Sequence, residues 1–269
     1  MTVAQALADS GIALSEARML LASVSGLSRV ALAAHPETTL SEAALAEFRS
    51  ASARRAAGEP IAYLLGEREF YGVCLRVTPD VLIPRPETEL LVEFALERVP
   101  SGGALLDLGS GSGAIALAVK HQRPDIQVAA VERSPASTEV ACANAKRLQL
   151  EVEFLQGSWY APIGERRFDV IVSNPPYIAE GDPHLAQGDV RFEPRAALVG
   201  GPDGLEAIRD IVSGARSRLH PGGWIAIEHG QGQDADVRQL LTGAALELVS
   251  SRPDLAGIAR ISVGKYNLE

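Results

Sequence analysis

The sequence predicts an α/β fold, a parallel sheet covered by helices, preceded by a small helical segment and a β-hairpin connector. Three observations predict it. After Gly103, short apolar runs alternate with helical patterns, the mark of a helix-covered parallel sheet. Residues 1 to about 70 are Ala/Leu-rich with apolar residues at helical spacing. Between them, from Glu69 to Pro86, strand formers (Phe70, Tyr71, Val73, Leu75, Val77, Val81 to Ile83) are punctuated by Gly72 and Pro79. The expected division is a helical domain over 1–70, a hairpin linker over 71–86 and a sheet domain over 87–269.

In the first segment, Leu14, Ala17, Leu21 and Val24 form one helical stripe and Gly26 stops it. Ser41 is a good N-cap for a second helix, Leu40 and Leu45 are placed as a hydrophobic staple, and Gly58 ends the run. Helices this short are marginal alone and must pack on one another. Pro84 and Pro86 then stiffen the chain before a helix over roughly 87–98. Seven strand candidates follow, at 104–108, 127–131, 151–155, 168–173, 224–228, 245–252 and 258–264. The last two leave no room for a crossover helix, so they are expected as an antiparallel pair at the sheet's end.

Composition sets the class of partner. With 46% hydrophobic and 22% charged residues, the 269-residue chain has ample material for a packed core. A net charge of −9 disfavours broad capture of nucleic acid, which needs a basic face to neutralise phosphates. The deficit points to a small molecule or a protein with basic surface. The N-terminus lacks a basic start and apolar run, and no apolar stretch is long enough to span a bilayer. Cys74 and Cys142 stand in unrelated contexts, and the five histidines (35, 121, 184, 220, 229) have no ligand spacing. The expectation is a soluble cytoplasmic monomer with no metal, no membrane association and no stable nucleic-acid complex. His229, just past a strand end, is the one histidine placed to border a pocket.

Two motifs carry chemistry. Leu105 to Gly113 (LLDLGSGSG) joins a strand to a helix, and its glycines at 109, 111 and 113 allow a sharp turn and close approach to a ligand. The spacing is G-x-G-x-G, not the G-x-G-x-x-G of dinucleotide enzymes. Asp107 adds a carboxylate, which suits a cofactor bearing ammonium and sulfonium charges better than a diphosphate. The cofactor expected is S-adenosylmethionine, held by Asp107, Gly109, Ser110, Gly111, Ser112 and Gly113, with S-adenosylhomocysteine as product. Glu132 ends the next strand, where its two oxygens can accept the ribose hydroxyls. Trp159, after the third strand, reads equally as a cover for the adenine ring and as a core aromatic.

Ser173-Asn174-Pro175-Pro176-Tyr177 ends the fourth strand, at the same sheet edge. Each residue preceding a proline is kept out of helical geometry, so the turn is stiff. A planar –NH2 has two N–H donors. The Asn174 side-chain oxygen can accept one and the Pro175 carbonyl the other, which aims the nitrogen at a methyl donor. Asn174, Pro175 and Tyr177 are therefore the catalytic candidates. Asn174 also borders the cofactor, and Pro176 joins the three in substrate binding. Tyr177 can pack on a flat acceptor. This logic serves adenine amino groups and glutamine amides equally, so the motif alone names neither.

Several further stretches resemble the bacterial release factor glutamine methyltransferases, protein-(glutamine-N5) methyltransferases. They are Gly58 to Gly66 (GEPIAYLLG), Glu69-Phe70-Tyr71-Gly72, Leu82 to Glu89 (LIPRPETE) and Asp182 to Pro194 (DPHLAQGDVRFEP), with the two motifs above. The resemblance covers nearly the whole chain. It implies a Rossmann-like class I methyltransferase domain of seven strands, and as acceptor the glutamine of the Gly-Gly-Gln loop of class I peptide chain release factors. It also implies that the helical domain helps dock the release factor, that Trp159 lies by the adenine, and that Arg85 and Glu87 sit near the substrate. Family members often carry Asp where this chain has Glu132, and threonines where it has Ser110 and Ser112. The rival readings are a nucleic-acid N6-adenine methyltransferase, a ribosomal-protein glutamine methyltransferase and a non-catalytic cofactor-binding scaffold. Negative charge weighs against the first, the N-terminal region against the second, and the intact two-acceptor clamp against the third.

Overall fold

A computed structural model describes residues 1–267. The chain divides into two compact units, one of residues 1–67 with 186–192, the other of residues 68–185 and 193–269. Leu268 and Glu269, at the end of the expected sheet domain, lie outside the described residues.

In the first unit, helices α1 (Val3–Ala8), α2 (Leu14–Ser25), α3 (Arg29–Ala34), α4 (Glu42–Ala56) and α5 (Ile61–Leu65) share a core of Leu20, Leu21, Leu32 and Phe48. Sequence logic holds at several helix ends. Gly26 caps α2 in the left-handed conformation, and the Ser41 hydroxyl accepts from the Ala44 amide at the start of α4. The segment 186–192 is tied into this unit. Arg191 donates to the Ala57 carbonyl (2.9 Å), and Arg55 bridges Glu16 (2.8 Å) and Asp189 (3.4 Å).

The hairpin is formed by β1 (Glu67–Phe70) and β2 (Val73–Arg76), so it begins at Glu67 rather than 71. Tyr71 and Gly72 (φ 46° and 79°) make the two-residue turn, with positive φ at both central positions as tight hairpins require. The strand formers from Val77 to Ile83 add no further strand. Prolines at 79, 84 and 86 remove backbone donors from that stretch.

The second unit contains α6 (Glu89–Arg98), β3 (Ala104–Leu108), α7 (Ala114–Gln122), β4 (Gln127–Glu132), α8 (Pro135–Leu148), β5 (Glu153–Gln156), β6 (Phe168–Ser173), α9 (Arg195–Leu198), α10 (Glu206–Arg218), β7 (Leu219–Glu228), α11 (Asp234–Gly243), β8 (Glu247–Pro253) and β9 (Ala259–Lys265). A 3-10 turn over Pro86–Thr88 leads into α6. The seven strands run in the order β5-β4-β3-β6-β7-β9-β8. The first five are parallel to one another, and β9 is antiparallel to both β7 and β8. The expected antiparallel pair is present, with β9 inserted between β7 and β8. This is the seven-stranded Rossmann-like sheet of the class I methyltransferase fold.

Strand side chains alternate between two cores. Leu105, Val170, Val172 and Ala226 pack on one face with Phe94 and Leu117, whereas Leu106, Leu108, Ile171, Ile225 and Ile227 pack on the other with Ile208 and Leu241. Burial on both faces explains why these strands read as continuous apolar runs. Strand order reverses at β3, whose partners are β4 on one side and β6 on the other. Such a switch point opens a crevice at the carboxyl ends of the strands, the usual ligand position in this fold class.

Candidate active site

Both motifs sit at that switch point, the glycine loop after β3 and Asn174–Tyr177 after β6. The Ser173 hydroxyl donates to the Leu108 carbonyl at 2.7 Å and locks the two strand ends together. Gly109, Gly111 and Gly113 adopt φ of 76°, 54° and 82°, so the backbone doubles back before α7 in a conformation only glycine reaches without strain.

Glu132 is held from both sides. Its Oε2 accepts from the Gly111 amide (2.9 Å) and its Oε1 from the Ser134 amide (2.8 Å). Each oxygen keeps a lone pair for a further donor. Asp107 is fully buried. Its Oδ2 accepts from Ala116 N (3.2 Å), its Oδ1 has no partner, and desolvation pushes its pKa up to about 7. The Ser110 hydroxyl is likewise buried without a partner. Two orphaned polar oxygens beside a glycine turn are what a cationic, donor-rich ligand would satisfy, so the residues present fit S-adenosylmethionine. Trp159, at φ 45°, brings its ring edge 3.5 Å from where a Gly109 β-carbon would lie, so it flanks the loop while packing on the second core. Ser112 is buried, and its backbone carbonyl accepts from Asn144 Nδ2 (3.0 Å).

At the second motif, the Asn174 Nδ2 donates to the Thr88 hydroxyl (3.0 Å), Thr88 donates to Glu228 Oε2 (2.7 Å), and the Tyr177 hydroxyl donates to Glu228 Oε1 (3.2 Å). Among the described residues, the Asn174 side-chain oxygen has no hydrogen-bond donor, whereas its nitrogen is tied to Thr88. Glu228 is buried at the end of β7, and desolvation pushes its pKa up to about 7. Burial likewise raises Tyr177 well above the usual phenol value, with the nearby Glu228 carboxylate adding to the shift. The turn's backbone rests on two further loops, one after α9 and one after β7. Gln233 Nε2 donates to the Tyr177 carbonyl (3.1 Å), and Gly200 and Gly204 pass so close that a β-carbon on either would meet the Pro176 or Tyr177 carbonyl at 2.4 or 2.3 Å.

Arg85 pairs with Glu193, whose side chain is fully buried and whose Oε1 accepts from the Ile83 amide (3.0 Å). Its charge is spent in holding the segment before α6. Glu87 is half-buried near Glu228. His229 is buried between the Gly230 carbonyl (3.0 Å) and the Ser262 hydroxyl (2.9 Å), with its pKa lowered by desolvation, and it packs inside the sheet rather than at the crevice. Thr88, Glu228, Gly200, Gly204 and Gln233 were not singled out from sequence. The signal for Glu228 is an acid ending an apolar strand at the ligand edge. Among the described residues, no group of three His, Cys, Asp or Glu side chains could hold a metal ion.

This sheet, with its glycine loop and ordered acid, defines an S-adenosylmethionine-dependent methyltransferase. The Methyltransferase small domain family matches residues 86–190, and the PrmC N-terminal domain family matches residues 2–66. A release factor glutamine methyltransferase of Bordetella pertussis is 53% identical over 96% of this chain and 97% of its own length. That of Burkholderia pseudomallei is 50% identical over 98% and 96%. The chain belongs to the release factor glutamine methyltransferase family. Among solved structures, a methyltransferase from Pyrococcus furiosus superposes with a TM-score of 0.58 at 19% identity, over 81% of this chain and 99% of its own. A 16S rRNA N2 G1207 methyltransferase of T. thermophilus, solved with S-adenosylmethionine and guanosine, gives 0.55 at 23% identity over 75% and 50%. These two likenesses are of fold.

Proposed function

We propose that this enzyme transfers a methyl group from S-adenosylmethionine to the side-chain amide nitrogen of the glutamine in the Gly-Gly-Gln loop of class I peptide chain release factors. The observation that carries the substrate is similarity at about half identity over nearly the full length of chains named for this activity. The amide chemistry is supported by the Asn174 orientation. With its nitrogen tied to Thr88, its oxygen accepts one amide N–H of the substrate, and the Pro175 carbonyl accepts the other.

When bound, S-adenosylmethionine would supply an electrophilic methyl whose bond to sulfur breaks as the bond to the amide nitrogen forms, with S-adenosylhomocysteine as the product. Glu132 would hold the ribose hydroxyls on its remaining lone pairs, Asp107 and Ser110 would offer their unpartnered oxygens, and Trp159, beside Gly109, would be the residue to cover the adenine. The stiff turn with Tyr177 fixes the acceptor nitrogen, and such orientation is worth up to roughly 7–11 kcal/mol in ideal cases. The amide proton becomes acidic only as the bond between nitrogen and methyl forms, so it can be released to solvent water and the clamp needs no strong base. Arg85 acts indirectly, by placing Glu87 and Thr88 through Glu193. The helical region over 1–70 docks the release factor. Among the described residues no helix is long and apolar enough to cross a membrane. The working form is read as a cytoplasmic monomer, with no stable nucleic-acid complex, in keeping with the −9 charge.

Purified chain, S-adenosylmethionine and a release factor should yield one added methyl, placed on the Gly-Gly-Gln glutamine by fragment mass spectrometry. Methyl on nucleic acid or a ribosomal protein, with none on that glutamine, would overturn the assignment.

A further inference from the structure

An asparagine amide presents two ends of nearly equal shape, and only its hydrogen bonds decide which faces outward. In this site the decision is made two residues away. Thr88 has a single hydroxyl hydrogen, and it points to Glu228 Oε2 at 2.7 Å. The Thr88 oxygen therefore offers only lone pairs to Asn174, 3.0 Å away, and draws its Nδ2 inward. An ionised carboxylate accepts and cannot donate, so it holds this polarity, and Tyr177 donates to its other oxygen at 3.2 Å. A proton on Oε2 would reverse the relay. Glu228 would then donate to Thr88, the Thr88 hydrogen would turn to Asn174, and the amide would be drawn round with its nitrogen outward. A donor would then confront the donor N–H of the substrate.

We propose that Glu228 is a positioning residue that acts through Thr88 to set which end of the Asn174 amide faces the acceptor, so that methyl transfer requires its carboxylate to be ionised. This rests on Asn174 being the amide clamp. The group is built to titrate. It is 2% exposed, with Glu87 from the turn before α6 opposing its ionisation, Arg260 on β9 favouring it, and the Tyr177 and Thr88 hydroxyls as its hydrogen-bond partners. Burial places its titration near neutral pH.

The test uses the full-length chain and four proteins: wild type, Glu228→Gln, Thr88→Ser and Thr88→Val. Measured at saturating cofactor at each pH, the wild-type kcat should fall about tenfold per pH unit below the Glu228 titration. Glu228→Gln, which keeps an acceptor for Thr88 but cannot titrate, should lose that limb. Thr88→Val should lower kcat at least tenfold with little change in KM, and Thr88→Ser should restore it. In parallel, the side-chain amide resonance of Asn174 should shift with pH in wild type, stop shifting in Glu228→Gln, and lose exchange protection in Thr88→Val. An Asn174 resonance indifferent to these changes, or a pH profile unaltered by Glu228→Gln, overturns the proposal. Should Thr88→Val not fold, Glu228→Gln and Thr88→Ser still decide it. A wild type that puts no methyl on the release factor would sink the substrate assignment, while the resonance measurement still judges the relay.

Discussion

A β-carbon on Gly204 would lie 2.3 Å from the carbonyl oxygen of Tyr177, and the residue holds φ +76°. No side chain fits there, and the obstacle is backbone that cannot swing aside. Gly204→Ala should therefore displace the Asn-Pro-Pro-Tyr turn itself. We expect a stability loss of about 2–3 kcal/mol from clash and strain. A shift near 1 Å at the acceptor clamp should lower kcat by about a hundredfold. Thermal unfolding and turnover would check both, and calorimetric cofactor binding should be little changed.

Asn174→Ala removes the oxygen that accepts the substrate N–H and leaves Thr88 without its donor. Turnover should fall by at least about a hundredfold, equivalent to the loss of roughly 3 kcal/mol of transition-state stabilisation. Cofactor affinity should hold within a few-fold in a binding titration. Equal loss of both would mean that the residue only supports the turn.

Glu132→Gln replaces one carboxylate oxygen by an NH2 that must face the amide of Gly111 or Ser134, both of which are donors. Two donors then oppose one another, and a ribose acceptor is lost. Cofactor Kd should rise about 10–100-fold, in line with the loss of one or two charge-assisted hydrogen bonds. At saturating cofactor, kcat should recover most of its value.

The Asp107 titration makes a stability prediction. Its folded pKa, about 7, lies above that of the unfolded chain, so the fold prefers the protonated form. That contribution is full below about pH 4 and is lost as pH rises through about 7, amounting to on the order of 4 kcal/mol. The cofactor-free chain should therefore unfold more easily at pH 8 than at pH 6, and Asp107→Asn should flatten the slope. Glu228 adds in the same direction. His229 has the opposite sign: its pKa is depressed below 6.5, so it withdraws stability as pH falls below that value. Denaturant titrations of wild type and Asp107→Asn across this range would separate the contributions.

Much of this architecture was legible because local chemistry and tertiary demand coincide. Gly26 and Ser41 work as helix caps whatever packs around them, and the apolar strands read clearly because both their faces are buried. The glycine loop and the proline turn announced themselves by backbone needs, and the fold brings both to one crevice. What stayed hidden depends on pairs far apart in the chain. Thr88 and Glu228 are 140 positions apart, and neither is unusual in its own neighbourhood. The resemblance sets Arg85 near the substrate, but nothing near it in sequence reveals the buried Glu193 with which it pairs. Gly72 reads as punctuation, but Tyr71 reads as a strand former and is found in the turn, with a positive φ that is uncommon for a tyrosine. His229 followed a strand end as expected, but the turn of the chain sends its ring into the sheet.

The insertion of β9 beside β7 has a consequence for how the protein is made. During synthesis β7 is complete at Glu228, but the strand that covers its open side begins only at Ala259. At ribosomal speeds of about 5–20 residues per second, that edge stays bare for roughly 2–6 seconds. It carries Ile225, Ala226 and Ile227, an apolar ladder with unpaired amides. Nascent chains halted in this interval would present a sticky template, with the Glu228 end of the site not yet covered by its neighbouring strand.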